Sequence, residues 1–221
     1  MTAYDAVVFD NDGVLVELTP MDVLRSAVRD AFADVGVTDP DPQLVELAAD
    51  HEDLAALETV ETEHGVALDA FWEARERRAI EHQQALVRDG DKPAYDDLHR
   101  ITELDAALGV VSNNQQATVD TVVDHYDLRE AVGTVYGREP TVAGARRRKP
   151  DTHYLDRALA DLDTTDALYV GDSETDVLTA QRAGIDAVFL RRPHRADLNL
   201  SVTPTDEFDS LDALVDHLTG R

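Results

Sequence analysis

Three short polar segments of the sequence carry the residues that could do chemistry. They are Asp10-Asn11-Asp12-Gly13, Ser112-Asn113-Asn114 and Gly171-Asp172-Ser173-Glu174-Thr175-Asp176. In an extended strand, Asp10 and Asp12 point to the same side of the backbone, and Gly13 lets the chain turn sharply away. If Asp172 faces this pair, the three carboxylates cannot all stay ionised in one pocket without a cation. Oxygen ligands without Cys or His favour Mg²⁺, so the pattern predicts a magnesium site.

Each polar segment follows a short apolar run that is typical of a buried strand. The predicted strands cover residues 6–9, 108–111, 132–136, 167–170 and 187–190. The predicted helices cover residues 95–105, 117–126, 152–162, 176–183 and 210–218. This alternation predicts an α/β fold, a doubly wound Rossmann-like parallel sheet with helices on both faces. Ligands bind beyond the carboxyl ends of the strands in such sheets, so the polar segments are expected to meet there.

The stretch between the first two polar segments reads almost entirely as helix. Thr19 is predicted to cap a helix whose first residue is Pro20. Apolar residues at helical spacing continue through Leu54 and Leu57, and a longer helix is predicted over residues 69–90. The change from a helical stretch to alternating strands and helices predicts two domains. They are an α/β core of residues 1–17 and 92–221 and a helical domain of residues 18–91.

The charge of the chain excludes several kinds of partner. Its 221 residues carry 46 acidic and 20 basic side chains, which give a formal net charge of −26. Nucleic-acid binding needs a surplus of Lys and Arg on at least one face, and the dense basic run that stands out is Arg146-Arg147-Arg148-Lys149. No stretch approaches the roughly 18–20 apolar residues of a spanning helix. We therefore expect neither a nucleic acid nor a membrane as partner.

The types of charged residue indicate a habitat. The acids comprise 32 Asp and 14 Glu, and the bases comprise 18 Arg and 2 Lys. This resembles halophilic proteins, whose salt-rich surroundings shorten the Debye length to about 3 Å at 1 M; the alternative is an acidic mesophilic protein. Cysteine is absent, which excludes disulfides and thiol catalysis. The first five residues lack the basic and apolar regions of a signal peptide, so we expect a cytoplasmic protein.

The polar segments, in this order and placement, resemble the motifs of the haloacid dehalogenase-like (HAD) hydrolase superfamily, whose members are mostly Mg²⁺-dependent phosphatases. The four matching segments are Asp10-x-Asp12-Gly13-Val14-Leu15, Val110-Val111-Ser112-Asn113-Asn114, Lys149-Pro150-Asp151 and Gly171-Asp172-Ser173-x-x-Asp176. One such motif is weak evidence, whereas four in order at predicted strand ends are strong. The resemblance covers nearly the whole chain, and the helical insert lies where the family carries its first type of cap domain.

The resemblance implies the catalytic residues. The protein would hydrolyse a small-molecule phosphate monoester, in the manner of phosphoglycolate phosphatases. Asp10 would attack phosphorus and form an aspartyl-phosphate, which divides one difficult displacement into two easier steps. Asp12 would protonate the leaving alcohol and then deprotonate the hydrolytic water.

The same resemblance implies which residues bind phosphate and metal. The phosphate-binding residues would be Ser112, Asn113 and Lys149, of which the lysine would neutralise charge on the phosphoryl oxygens. The Mg²⁺ ligands would be Asp10, the backbone carbonyl of Asp12, and Asp172, with Asp176 holding metal-bound water. The insert, roughly residues 18–91, would select the substrate.

Details within the motifs separate the subtypes of the superfamily. Dehalogenases generally lack the second acid of the first motif, so Asp12 favours phosphate esters over carbon–halogen bonds. Sugar phosphomutases usually carry an acid where this chain has Gly171; a phosphomutase is the alternative among enzymes. A non-catalytic phospho-Asp receiver-like module is the alternative from another class, although it would need neither Asp12 nor so large an insert. Asn11 replaces the apolar residue most common there, and Lys92, in the predicted linker, is expected to face solvent.

Overall fold

A parallel β-sheet positions the polar segments. The computed structural model describes residues 4–50 and 59–221 of the chain, and six strands lie within them. They are β1 (Ala6–Phe9), β2 (Ala107–Gln115), β3 (Thr134–Arg138), β4 (Ala167–Gly171), β5 (Asp186–Leu190) and β6 (Asp206–Phe208). The spatial order is β3-β2-β1-β4-β5-β6, and every neighbouring pair is parallel. The predicted doubly wound α/β fold is confirmed.

Most of the described helices lie where the spacing of apolar residues predicts helices. They are α1 (Met21–Asp34), α2 (Pro42–Asp50), α3 (Thr59–His64), α4 (Leu68–Asp89), α5 (Gln116–His125), α6 (Val142–Arg146), α7 (His153–Asp161), α8 (Glu174–Ala183) and α9 (Leu211–Thr219). Across residues 4–50 and 59–221, none of them combines the length and the apolar character needed to cross a bilayer.

Apolar side chains cover both faces of the sheet, which is why β1 is apolar at every position. All four residues of β1 are fully buried. Val7 and Phe9 belong to a core shared with α5 and α9, whereas Ala6 and Val8 belong to a second core shared with α7 and α8. Because successive side chains of a strand point to opposite faces, a strand buried on both sides needs an unbroken apolar run.

The chain divides into two units, each with a core of its own. The first unit contains the sheet and consists of residues 1–18, 92–138 and 147–221; the second consists of residues 19–91 and 139–146. In the second unit, helices α1 and α4 make the most extensive contact, and Phe32 packs against Phe71 with ring centroids 4.4 Å apart. Leu54 and Leu57, which the periodicity assigns to a helix, lie outside the described residues.

Two local predictions are wrong at the borders of the helical insert. Thr19 does not cap α1, because Pro20 occupies the N-cap position with an extended ψ of 137° and no side chain caps this helix. The helix predicted over residues 95–105 is a short 3₁₀ helix, Leu98–Glu103. Before it, residues 96 and 97 form a turn, and the backbone N–H of Tyr95 donates to the Leu15 carbonyl, at 3.1 Å. That bond holds this part of the linker against the first polar segment.

Candidate active site

The three central strands bring the polar segments to one edge of the sheet. Phe9, the last residue of β1, is in register with Val110 of β2 and Val170 of β4. The backbone N–H of Asp10 donates to the Val170 carbonyl, at 2.8 Å. Asp10 therefore lies at the level where β4 ends, whereas β2 continues to Gln115, so that Ser112-Asn113-Asn114 lie within the last part of β2 and not after it as predicted. The convergence expected from parallel strands occurs at their carboxyl ends.

A cluster of three buried carboxylates forms at this edge. Each of Asp10, Asp172 and Asp176 offers an oxygen within 4.8 Å of the others, and the three residues are at most 7% exposed. Burial and the carboxylates of Asp176 and Asp172 raise the pKa of Asp10 to about 8, against the opposing effect of Lys149. Like charges in a shared pocket raise a pKa in this way. The cluster therefore needs a cation to be fully ionised.

The cluster fits a hard metal ion. All of its donors are carboxylate oxygens, the ligands that Mg²⁺ and related cations prefer. Asp10 Oδ1 is buried without a hydrogen bond of good geometry, although Lys149 Nζ lies 2.9 Å away. This oxygen therefore keeps a lone pair available to a metal. The predicted ligands Asp10 and Asp172 are together, whereas the carboxylate of Asp12 lies outside the cluster.

Lys149, the lysine of the third motif, lies among these carboxylates. Its Nζ donates to Asp176 Oδ1 at 2.6 Å and to Tyr169 Oη at 2.9 Å. Burial opposes its charge, but the carboxylates of Asp10 and Asp176 outweigh burial and raise the pKa of Lys149 well above its usual range. The ammonium is therefore a fixed positive charge beside the proposed nucleophile.

Asn113 and Ser112 make contacts that organise the second motif. Asn113 Oδ1 accepts from the backbone N–H of Lys149 at 2.7 Å, and its Nδ2 donates to the Lys149 carbonyl at 3.3 Å. The amide of Asn113 thus holds the backbone of Lys149. Ser112 is 2% exposed, and its Oγ accepts from the backbone N–H of Asn114 at 3.1 Å. The phosphate-binding roles of both residues stay predictions.

Asp176 also forms the start of α8. Its Oδ2 accepts from the backbone N–H of Ser173 at 3.0 Å, while Ser173 Oγ accepts from the backbone N–H of Asp176 at 3.3 Å. This reciprocal pair is a capping box. One oxygen of Asp176 therefore caps α8, and the other accepts from Lys149. The start of the helix and the site depend on the same residue.

The prediction that Lys92 faces solvent is wrong. Lys92 is 1% exposed, and its ammonium contacts Asp12 Oδ1. Asp12 Oδ2 also accepts from Asn11 Nδ2 at 3.1 Å and from Asn114 Nδ2 at 3.0 Å. Burial would raise the pKa of Asp12, but Lys92 and the two amides outweigh burial and lower it. The polar Asn11 thus acts within the motif, beside the residue predicted as acid and base.

His194 and Arg195 both contact Asp172, and no motif in the sequence predicts these contacts. His194 Nε2 lies 2.7 Å from Asp172 Oδ2, and Arg195 Nε donates to the same oxygen at 2.9 Å. The available signal is the basic run at residues 191–195 after β5. Gly13 makes room for this group. Its φ is +82°, and a Cβ there would lie 2.4 Å from Asp172 Oδ2.

Known proteins are similar to this chain over most of its length. A sequence profile of the haloacid dehalogenase-like hydrolases matches residues 7–190. A phosphoglycolate phosphatase of Rhodobacter capsulatus is 28% identical over 200 residues, which cover 86% of this chain and 85% of that protein. A phosphoglycolate phosphatase of Pseudomonas fluorescens is 27% identical over 199 residues, which cover 83% of this chain and 68% of that protein.

A solved structure supports the fold alone. CbbY from Rhodobacter sphaeroides, in complex with phosphate, superposes with a TM-score of 0.68 at 19% identity, and the match covers 96% of each chain. The profile match spans all four motifs, from the strand before Asp10 to the end of β5. Because that match covers most of the sequence and the matched motifs meet at one edge of the sheet, the chain belongs to the haloacid dehalogenase-like hydrolase family and resembles its phosphoglycolate phosphatases.

Proposed function

We propose that the protein is a Mg²⁺-dependent phosphatase that hydrolyses a small-molecule phosphate monoester through an aspartyl-phosphate on Asp10. One observation carries this proposal: Lys149 Nζ lies between Asp10 and Asp176, 2.9 Å and 2.6 Å from their oxygens, within a buried carboxylate cluster. A nucleophilic oxygen, a fixed positive charge and a set of metal ligands therefore share one pocket. Phosphoryl transfer depends mainly on such positioning and electrostatics.

The reaction proceeds in two displacements at phosphorus. A carboxylate oxygen of Asp10 attacks, and the bond between phosphorus and the ester oxygen breaks. Asp12 gives a proton to the leaving alcohol; because Lys92 and two amides lower the pKa of Asp12, it has to take up this proton before the attack. Water then attacks the same phosphorus, Asp12 takes the proton of that water, and the bond between phosphorus and Asp10 breaks to release inorganic phosphate. Lys149 and Ser112 bind phosphoryl oxygens throughout.

Asp10, Asp172 and the Asp12 carbonyl would hold Mg²⁺, and Asp176 would hold metal-bound water. When bound, the ion supplies positive charge that offsets the negative charge of the phosphoryl group. Lys149 would neutralise further charge on the phosphoryl oxygens. The chain has a net charge of −26, and these local cations would offset its repulsion of an anionic substrate.

The substrate is proposed to be phosphoglycolate or a similar small ester, because both relatives described above are phosphoglycolate phosphatases. Residues 18–91 are proposed to form the cap domain that selects it. Hydrolysis is favoured over phosphomutase activity by the end of β4. A Cβ at Gly171 would lie 2.2 Å from Asp176 Cβ, so the acid typical of mutases has no room there.

A panel of phosphate esters tests this proposal. Phosphate release from phosphoglycolate and other small esters is measured in molar KCl, with and without Mg²⁺, for the wild type, Asp10→Asn and Asp12→Asn. We expect Mg²⁺-dependent release, its loss in Asp10→Asn, and a decrease of about 10²–10⁴-fold in Asp12→Asn. Undiminished turnover by Asp10→Asn would contradict the mechanism. Isomerisation of a sugar phosphate faster than phosphate release would reassign the protein as a mutase.

A further inference from the structure

The two lysines of this chain are both buried at the site. Elsewhere the chain uses arginine, with 18 Arg against 2 Lys. Lys149 is 4% exposed and faces Asp10, while Lys92 is 1% exposed and faces Asp12. Each aspartate of the first motif therefore has its own ammonium. The proposed mechanism gives Lys149 a role and leaves Lys92 without one.

Lys92 belongs to a group of donors that surrounds the Asp12 carboxylate. Lys92 contacts Oδ1, while Asn11 and Asn114 donate to Oδ2 at 3.1 Å and 3.0 Å. The three donors come from separate places: the linker after α4, the end of β1 and the end of β2. Contacts from three directions fix both the position and the rotation of a carboxylate.

The backbone around Lys92 is itself held in place. Tyr126 Oη donates to the Lys92 carbonyl at 2.7 Å. On the other side, the backbone N–H of Glu17 donates to the Pro93 carbonyl at 2.9 Å. The ammonium therefore extends from a fixed point. A lysine suits this task because it presents a compact charge to a single oxygen, whereas the planar guanidinium of arginine is broader.

We infer that Lys92 is a positioning residue, which holds the Asp12 carboxylate in the orientation from which it removes the proton of the hydrolytic water. This inference rests on the proposed function. The donors on both oxygens hold the plane of the Asp12 carboxylate, and the second displacement requires that plane to face the hydrolytic water. Loss of Lys92 should therefore slow the breakdown of phospho-Asp10 more than its formation.

The test separates these two displacements with 4-nitrophenyl phosphate, whose leaving group needs little protonation. Nitrophenolate release is followed on the millisecond scale with Mg²⁺ in molar KCl, and phosphorylated protein is quantified by intact mass after acid quench. In Lys92→Met, we expect a burst of about one nitrophenolate per chain and a steady rate at least about tenfold below that of the wild type, a part of the total effect of such proton transfer. Phosphoprotein should accumulate.

Two further variants complete the design. Tyr126→Phe removes the bond to the Lys92 carbonyl but keeps the ammonium, and its steady rate should lie between those of Lys92→Met and the wild type. Asn11→Ala removes a second donor to Asp12 and should accumulate phosphoprotein to a smaller extent; it decides the matter if Lys92→Met does not fold. The burst itself reports a folded site.

The outcomes distinguish the inference from the function on which it rests. Equal slowing of burst and steady rate in Lys92→Met, or a slow steady rate without phosphoprotein, would overturn the role of Lys92 while leaving the phosphatase intact. Unchanged turnover in Lys92→Met would do the same. Absence of Mg²⁺-dependent phosphate release by the wild type would overturn the proposed function itself.

Discussion

Two aspartates that are two positions apart have opposite electrostatic surroundings. Burial and neighbouring carboxylates raise the pKa of Asp10 to about 8, while Lys92 and two amides outweigh burial and lower the pKa of Asp12. Environments that separate the pKa values of two like groups are typical of sites where each group has its own task. Asp10 has to be ionised in order to attack phosphorus, so its raised pKa implies that a cation joins the cluster first.

The raised pKa leads to a prediction about metal binding. Below a pKa of about 8, at pH 7, Asp10 holds a proton in the metal-free protein. A bound cation favours the carboxylate, so Mg²⁺ binding should release roughly one proton per chain. The measurement is a Mg²⁺ titration in weakly buffered KCl with a pH indicator. Asp10→Asn is the control and should release clearly less; equal release from both proteins would contradict the prediction.

At the scale of elements, the junction of β4 and α8 depends on a residue without a side chain. A Cβ at Gly171 would lie 2.2 Å from Asp176 Cβ and 2.3 Å from its Cγ. Asp176 caps α8 and binds Lys149, so an added methyl group would move both. A displacement of about 1 Å in an active site can cost on the order of 10²-fold in rate.

Gly171→Ala is therefore expected to lower phosphate release by about 10²-fold and the free energy of unfolding by about 1–3 kcal/mol. The measurements are phosphatase assays and denaturant unfolding. Gly133→Ala is the matched control, because its Cβ would first meet the side-chain end of Leu162 at 3.1 Å, which can move. Similar losses of activity in both variants would contradict the role given to the close approach of Gly171 and Asp176.

A buried ion pair joins several elements behind the site. Arg192 donates to both oxygens of Asp97, at 2.7 Å each, and to the Val14 carbonyl at 2.9 Å. Asp97 Oδ2 also accepts from the backbone N–H of Leu211, at the start of α9. The pair therefore connects the 3₁₀ helix, the segment after β5, the first motif and α9. Removing one partner of such a pair leaves a buried charge uncompensated.

Asp97→Asn is expected to lower the free energy of unfolding by about 3–5 kcal/mol, as measured by denaturant unfolding at pH 7. Asp124→Asn is the control. It removes an exposed partner of Arg129 and should change the free energy of unfolding by about 0–1 kcal/mol. Equal losses in the two variants would contradict the role given to burial.

The same pair predicts a pH dependence. Burial opposes ionisation of Asp97, but hydrogen bonds from Arg192 outweigh it and lower the pKa of Asp97. A carboxyl with a lowered folded-state pKa stabilises the fold above its unfolded pKa, about 3.9, and this stabilisation is lost as the pH falls through the folded value. Unfolding curves below pH 4 should therefore drop less steeply in Asp97→Asn than in the wild type. Parallel curves would contradict this account.

At the scale of the whole molecule, the net charge is the main influence on how stability depends on salt. A net charge of −26 on 221 residues repels itself in dilute buffer, and the Debye length shortens from about 10 Å at 0.1 M salt to about 3 Å at 1 M. We predict that the melting temperature and the phosphatase activity both fall as KCl is removed. Unchanged melting and full activity at low ionic strength would refute salt adaptation and leave the proposed phosphatase intact.

A non-ionic control separates screening from general stabilisation. Sucrose strengthens burial because it is excluded from the protein surface, but it does not screen charge. It should therefore restore less of the melting temperature than KCl does at the same osmolarity. If sucrose restores as much as KCl, repulsion among the acidic side chains is not the cause of the salt dependence.

Much of the fold and part of the site follow from local patterns. The apolar run of β1, the strand and helix alternation and the positions of Asp10 and Asp172 at strand ends are predictable, because burial on both faces of a parallel sheet forces these patterns. Lys149 is predictable from its motif. Thr19 is predicted wrongly because Pro20 is the N-cap of α1. The helix over residues 95–105 is also predicted wrongly, and the bond from the Tyr95 N–H to the Leu15 carbonyl, between residues far apart in the sequence, has no local signature.

By itself, the sequence determined the doubly wound sheet and the placement of Asp10, Ser112 and Asp172 at one edge of it. Only the tertiary structure decided that Lys92 is buried on Asp12 and that His194 and Arg195 contact Asp172. The reason is distance along the chain. Strand ends follow from the periodicity of neighbouring residues, whereas an ion pair between residues 80 positions apart exists only after the backbone has brought them together.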